Sequence, residues 1–424
     1  MAIGLVGSEM CIRDRSVINW FSDSENMLVK MISNNRRPLI DTNKIVPDGP
    51  TISTNFGEKA QNRTYQDLLK NKFDEHNFEQ LSTSTIYKVS IDGSVKKWMD
   101  DGMYRTISFS PNGEYVMISQ INKPFSYLVT YSRFPTETNI YNKDGDFVSN
   151  LQKVPLIEEL PKGFMSVRTG KRSFSWRPDK GASLTYVTAL DSGDPSKKVD
   201  FRDEVYELNY PFSGKGKFIL KTINRFSGID WGTKDMAIAY DTWWNTRNRK
   251  SYVFNPSNPN IKPKIISDRN YQDTYSDPGS FLRSRNEFNR SVLKMHYGNI
   301  FLRGQGFSPS GQFPFIDKVN TKTFEKTRVY QSSYTDKIES IIDYDPKKNQ
   351  LTVSIESPSE YPNYYTKKVK SGKLEKLTNL KNPFLELQNV KKEKITYLRN
   401  DGVELSGILY LPLNYDKEKK EKMP

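Results

Sequence analysis

One short pattern recurs along the chain and restricts its fold more than any other feature. A strand-like run ends in a tight turn, and a second run follows at once. Ile107-Ser108-Phe109-Ser110-Pro111-Asn112-Gly113 leads into Glu114-Tyr115-Val116-Met117-Ile118-Ser119. Ser173-Phe174-Ser175-Trp176-Arg177-Pro178-Asp179 leads into residues 183–187. Gly228-Ile229-Asp230-Trp231-Gly232 leads into 236–240, and Ile341-Ile342-Asp343-Tyr344-Asp345-Pro346 into 351–354. Hairpin turns recur as well: Ile91-Asp92-Gly93-Ser94, Asn142-Lys143-Asp144-Gly145-Asp146 and Lys370-Ser371-Gly372-Lys373. Glycine supplies the positive φ that such tight turns need. The units start at 107, 173, 228 and 341, and the last interval has room for two. That spacing fits four-stranded blades of roughly 40 to 50 residues, lengthened by insertions. The expectation is an all-β fold, a β-propeller of about seven blades over residues 18–380. A generic antiparallel sandwich or barrel is the alternative.

Composition agrees with half-buried strands. The 424 residues include 24 Tyr, 23 Phe and 6 Trp, against a mean hydropathy of −0.72. Disordered chains are poor in aromatics, so a packed fold is expected. The net charge is +14. A basic surface suits acidic partners, but no nucleic-acid module accompanies the charge, and no nucleic-acid partner is expected. The densest basic run is Thr246-Arg247-Asn248-Arg249-Lys250; Lys391–Lys394 and Lys417–Lys422 are interleaved with Glu. No apolar run approaches the ~18 residues of a membrane helix. The single cysteine, Cys11, excludes an internal disulfide framework. His76 and His296 lie too far apart for an H-E-x-x-H pair. Residues 64–81 place Leu68, Leu69, Phe73 and Leu81 near helical spacing, which predicts an amphipathic helix inserted in a blade connection and capping one propeller face. Its C-terminal half reads equally well as a loop.

Both ends look non-native. Residues 1–15 lack the basic start, apolar stretch and cleavage site of a signal peptide, and read as translated adaptor sequence. The chain stops at Lys422-Met423-Pro424, directly after a charged loop. A truncated reading frame is the expectation for both ends. After Pro383 the pattern changes: residues 394–412 form two strands around Asn400-Asp401-Gly402, continuing into Asn414-Tyr415-Asp416.

These stretches together carry a family resemblance. Asn62-Arg63-Thr64-Tyr65-Gln66-Asp67-Leu68-Leu69, Tyr131-Ser132-Arg133-Phe134-Pro135, residues 166–179, Tyr275-Ser276-Asp277-Pro278-Gly279 and the 395–415 hairpin occur in this order. The chain resembles the propeller part of the prolyl oligopeptidase family of serine peptidases, and within it the glutamyl endopeptidase branch. With residues 1–15 set aside as non-native, the resemblance implies a propeller at 16–388 and, at 389–424, the first strands of a truncated α/β-hydrolase peptidase domain. It also implies export to the periplasm of a bacterium.

In that family a serine on a strand-to-helix elbow attacks a peptide carbonyl, aided by histidine and aspartate. The resemblance puts all three beyond residue 424, so the chain alone is expected to be inactive. The nearest approach to G-x-S-x-G is Gly306-Phe307-Ser308-Pro309-Ser310. It lacks the last glycine, and Pro309 has no N–H where an oxyanion donor is needed, so it reads as a turn. His76 and His296 read as surface or packing residues. Gly304-Gln305-Gly306 and Gly214-Lys215-Gly216 lack a phosphate-loop context. Asp144-Gly145-Asp146 falls short of a calcium loop. Asp203-Glu204 reads as a pair of loop neighbours. No cofactor and no metal are expected.

In the resembled family the propeller covers the active site and limits which substrates enter. A site selecting Glu must hold a carboxylate, for which Arg is best suited through bidentate bonds. The candidate substrate-binding residues are Arg133, Arg168 and Arg172, in stretches that carry the resemblance, and Arg247 and Arg249, just after Trp243 and Trp244. Trp176 and Trp231 sit at equivalent repeat positions and are expected in the core. The expected partners are a peptide substrate and the chain's own hydrolase domain, with no membrane. A stand-alone binding propeller for proteins or polyanions is the alternative.

Overall fold

A computed structural model of the chain describes residues 18–41, 44, 65–387, 390–413, 415, 418 and 419. Residues 1–15 with Cys11, the Asn62-Arg63-Thr64 stretch and most of the 417–422 charge run lie outside the described residues. The chain divides into two compact units, Met1–Asp273 with Arg283–Lys294, and Thr274–Leu282 with Met295–Pro424.

The first unit opens with one antiparallel path of seven strands: β1 (Ile18–Trp20), β2 (Asn26–Ile32), β3 (Ser84–Ser90), β4 (Val95–Phe109), β5 (Tyr115–Ile121), β6 (Thr136–Asn142) and β7 (Phe147–Val154). Strand β4 is 15 residues long and serves two sheets. Its first part pairs with β3 up to Gly102, and its second part pairs with β5 from Met103. A Cβ on Gly102 would lie 2.8 Å from the Tyr104 ring, so the handover is built around a missing side chain. The third sheet is β8 (Arg172–Trp176), β9 (Ser183–Ala189), β10 (Asp203–Asn209) and β11 (Lys217–Thr222). The fourth is β12 (Arg225–Thr233), β13 (Met236–Trp243), β14 (Asn248–Phe254) and β15 (Lys264–Asn270). The chain then gives β16 (Ser280–Phe281) to the second unit and returns with a hairpin, β17 (Arg283–Arg285) and β18 (Ser291–Leu293).

In the second unit, β16 pairs with β20 (Asn299–Gly304), which also pairs with β19 (Met295–His296). Strands β21 (Phe307–Ser308) and β22 (Gly311–Gln312) make a minimal hairpin before β23 (Phe315–Asn320) and β24 (Lys326–Gln331) complete the sheet of β16 and β20. A further sheet follows as β25 (Ile338–Asp345), β26 (Gln350–Glu356), β27 (Asn363–Lys368) and β28 (Leu374–Lys376). The hairpin β29 (Lys391–Leu398) and β30 (Glu404–Leu411) stands as a two-stranded sheet.

Among the described residues there are thus six antiparallel paths of four strands, one of them carrying β19 as a fifth strand, and the long interval from 228 to 341 holds two of them, as its length suggests. The fold is all-β and its repeating unit is a propeller blade. The core lies in layers between consecutive sheets. Met117 and Ile140 of the second sheet pack against Trp176, Leu184 and Tyr186 of the third. Val187, Val205 and Ile219 of the third pack against Trp231, Ala237 and Tyr252 of the fourth. Residues 183–187 of β9 are buried in succession, because a middle strand has packed neighbours on both faces. Trp176 and Trp231 fill these layers, 9% and 5% exposed.

The helix differs from its expected bounds. It runs from Lys72 to Ser82, in the connection between β2 and β3, so the C-terminal half of the expected segment is helical and residues 65–71 are not. The Asn71 side chain accepts from the Phe73 and Asp74 amides, and that cap fixes the start. Phe78 then packs edge-on against Phe125 and Phe134.

Candidate functional site

A cleft of about 610 Å³ opens in the first unit along residues 151–161 and 167–171. Gln152, Lys153, Glu158, Glu159, Arg168 and Lys171 supply its polar lining. Arg168 is tied down: its Nη1 donates to the Thr169 carbonyl at 2.9 Å, and its Nη2 to Gln152 Oε1 at 2.5 Å and to the Lys171 carbonyl. Burial and the nearby Arg172 charge push its guanidinium below the ordinary value.

Beside Arg168 lies a buried charge cluster at the shared ends of β8, β10 and β12. Asp191 accepts from Arg202 Nη1 at 2.8 Å, Arg225 Nη2 at 2.7 Å and the Gly193 amide at 2.9 Å. Asp203 accepts from Arg225 Nη1 at 3.2 Å and the Phe226 amide at 2.8 Å, and Arg172 Nη2 lies 2.5 Å from it. Both carboxylates are buried. Arg172, Arg202 and Arg225 therefore share two carboxylates, with Arg168 beside them but bound to neither, and the Arg172 Nε has no hydrogen-bond partner among the described residues. Asp203 and Glu204 are not loop neighbours, as their sequence suggested. They open β10, where Asp203 faces this cluster and Glu204 takes the Tyr206 hydroxyl.

The other candidates are dispersed. Arg133 ends a short 3-10 turn, with Nη1 3.5 Å from the Glu158 carbonyl on the cleft wall and its guanidinium over the Tyr65 ring. Arg247 sits at φ +53° in the turn after β13 and covers Trp244 at 3.8 Å. Trp244 stacks at 5.5 Å on the exposed Phe164. Arg249 lies 5.8 Å from the Tyr271 ring. Trp243 carries Arg202 at 4.0 Å. The structure thus joins Arg168 and Arg172, brings Arg133 to the same cleft wall, and leaves Arg247 and Arg249 on the β13–β14 edge.

Two arrangements had no warning in the sequence reading. Arg177, 1% exposed, binds Asp179 and Glu207 and lies 4.0 Å over Trp231 of the next sheet. The β17–β18 hairpin lies along the first strands of three successive sheets. Arg283 pairs with Asp230, Asn286 Nδ2 donates to the Pro178 carbonyl at 2.7 Å, and Arg290 Nη2 reaches the Phe109 and Ser110 carbonyls, each at 3.3 Å. The only cue in the sequence was its run of Arg and Asn, which has no set spacing.

Gly306 to Ser310 spans β21 and its turn, and Ser308 Oγ donates to the Gly311 carbonyl at 3.0 Å. His76 Nε2 lies 3.0 Å from the Pro38 carbonyl, and His296 packs on Tyr297.

Curated relatives align along nearly the whole chain. The probable glutamyl endopeptidase, chloroplastic, of Oryza sativa subsp. japonica is 36% identical over 396 residues, covering 89% of this chain and 42% of its own length. Its counterpart in Arabidopsis thaliana is 33% identical over 425 residues, covering 95% of this chain and 44% of its own length. The chain therefore spans less than half the length of these relatives. Among solved structures, the β-propeller domain of the Trilobed protease from Pyrococcus furiosus is similar with a TM-score of 0.35 and 10% identity, covering 86% of this chain and 84% of that one. No protein-family model matches the chain. The chain thus combines propeller-type blades with similarity, along most of its length, to part of two probable glutamyl endopeptidases.

Proposed function

We propose that this chain is the propeller portion of a serine peptidase that cleaves peptides after Glu, and that the propeller gates and helps select substrate. The observation that carries this reading is the 36% identity over 396 residues to a probable glutamyl endopeptidase. Residues 16–388 form the propeller in this reading, and 389–424 open the α/β-hydrolase domain that holds the Ser-Asp-His triad. The β29–β30 hairpin supports that assignment. Ile395, Tyr397 and Leu409 share one face of it and are 39%, 54% and 40% exposed. An isolated two-stranded hairpin is marginal in water, and an apolar face like this one calls for a covering layer. A stand-alone binding propeller has no use for it.

The cleft beside Arg168 and Arg172 is the part of the propeller best suited to acidic peptides. Three arginines share the two buried carboxylates, the cleft itself is lined by Lys153, Arg168 and Lys171 against Glu158 and Glu159, and partly desolvated Arg binds carboxylate strongly. The test is the full-length enzyme assayed on peptides with Glu, Gln or Ala before the cleaved bond. Single Arg→Ala variants of Arg133, Arg168, Arg172, Arg247 and Arg249 complete the series. A fall of about tenfold or more in Glu over Ala preference is expected for Arg168→Ala or Arg172→Ala, a typical charge-assisted bond being worth that much. Unchanged preference in all five variants removes the propeller from substrate selection. No cleavage after Glu removes the peptidase reading.

A further inference from the structure

The β17–β18 hairpin holds an arginine over a second cavity that the resemblance to peptidases does not explain. This cavity measures about 400 Å³, within the rough range of 300–1,000 Å³ seen for small-molecule sites. Phe109, Met117, Phe174 and Trp176 supply its apolar walls, Thr106, Ser108 and Ser175 add hydroxyl-bearing residues, and among the described residues Arg290 is the one charged residue lining it, with no acidic one.

Arg290 is poorly compensated for a half-buried cation. Its two acceptors are the Phe109 and Ser110 carbonyls, both taken by Nη2 at 3.3 Å, beyond the ordinary N–H···O range. A guanidinium has five N–H donors, and the remaining ones meet no acceptor among the described residues. Burial first, and the neighbouring Arg285 charge second, push the group below its ordinary value. The position is nonetheless firmly built. The Asn286 side chain accepts from the Arg290 amide at 2.9 Å and the Phe288 amide at 3.2 Å. Val292 and Leu293 are buried, and Arg283 and Asn286 tie the hairpin to β12 and to the turn after β8. On the cavity floor, Trp176 Nε1 donates to the Ser108 carbonyl at 3.0 Å, which fixes the indole.

We propose that Arg290 and this aromatic cavity form a subsite for a peptide carboxylate carried on a short aliphatic arm. The guanidinium hydrogens that the two carbonyls leave open donate to the carboxylate, and the arm lies against Phe174 and Trp176. The choice of a peptide as ligand rests on the peptidase reading above; the carboxylate preference rests on the site itself.

The test titrates the chain with three probes and follows Trp fluorescence, with Trp176→Phe identifying the reporter. The probes are N-acetylglutamine amide, N-acetylglutamate amide, which adds only a side-chain carboxylate, and N-acetylglutamine, which adds only a terminal one. At least one carboxylate probe is expected to bind about tenfold or more tighter than the neutral amide, and which one does so identifies the carboxylate's source. Arg290→Gln should abolish the difference with unchanged far-ultraviolet dichroism, and Arg290→Lys should keep part of it. Equal binding of all three probes, or full retention of the preference in a folded Arg290→Gln protein, overturns the proposal. The readout needs no hydrolysis, so the two readings fail separately. Probe binding without Glu cleavage in the full-length enzyme sinks only the peptidase reading. Glu cleavage that Arg290→Gln leaves untouched, without probe binding, sinks only this one.

Discussion

Replacing Arg177 with methionine should destabilise the first unit by about 4 kcal/mol. Arg177 is 1% exposed and donates to Asp179 through Nε at 3.1 Å and Nη2 at 2.7 Å, while its Nη1 lies 3.0 Å from Glu207 Oε2. Breaking a buried pair by removing one partner costs roughly 3–5 kcal/mol. Glu207 keeps Lys180 at 2.5 Å and the Ser183 hydroxyl at 2.7 Å, so the charge left without a partner is mainly Asp179. That places the ionic part near the low end, about 3 kcal/mol. The guanidinium also lies 4.0 Å from the Trp231 ring centroid, a desolvated stack that adds about 1–2 kcal/mol. Methionine keeps most of the stem volume, so the cavity contribution stays small. Urea unfolding at neutral pH, followed by Trp fluorescence, gives the difference. Adding Asp179→Asn should recover about 2 kcal/mol, because the orphaned charge is then gone. If Arg177→Met falls within about 1 kcal/mol of the parent, or if the double variant recovers nothing, the network does not act as described.

Other outcomes follow from the same kind of reasoning. Lys30, 7% exposed with the Tyr104 carbonyl as its acceptor, is pushed down to about 8 by burial. Its folded value is depressed, so between about pH 8 and 10.5 the unfolded chain holds the extra proton and stability rises with pH; this group contributes about 3 kcal/mol across that window. Unfolding at pH 7.5 and 9.5 should show part of this rise in the parent and none of it in Lys30→Met, and parallel pH curves for the two would contradict it. Gly193 sits at φ +77°, and a Cβ there would lie 1.9 Å from the Val167 carbonyl. Gly193→Ala should therefore cost about 2 kcal/mol or more and part the Val167–Gly193 backbone bond at the cleft edge, read as faster amide exchange at Val167. Asp203→Asn should cost about 3 kcal/mol in urea unfolding, since two arginines lean on that carboxylate. A loss below 1 kcal/mol would show that the other groups suffice.

The blades were legible because their cues are local. Pro111-Asn112-Gly113 and Pro178-Asp179 mark turns within a few residues of the strands they join, and tryptophans at matching repeat positions pointed to the layers that Trp176 and Trp231 fill. The helix was misplaced by its N-terminal half because apolar spacing extended past the cap that Asn71 sets. Arg168 and Arg172 entered as candidates through the resemblance, but the cluster of Asp191, Asp203, Arg202 and Arg225 beside them had no cue, because it forms only when strand ends from two sheets meet. Arg290 was invisible for the same reason in stronger form. Its carbonyl partners lie 181 and 180 residues away along the chain, and no spacing rule reaches that far.

Strand β4 has a mechanical consequence. Because one uninterrupted run of backbone belongs to both the first and the second sheet, no loop separates them at that point. A blade that ends in a loop can peel away while its neighbour stays folded. Here, releasing the β3 edge pulls on the same strand that carries β5, so the two sheets share a single opening event. Strain applied at the β3 edge is therefore passed through β4 directly to the second sheet, with no connection between them that can yield.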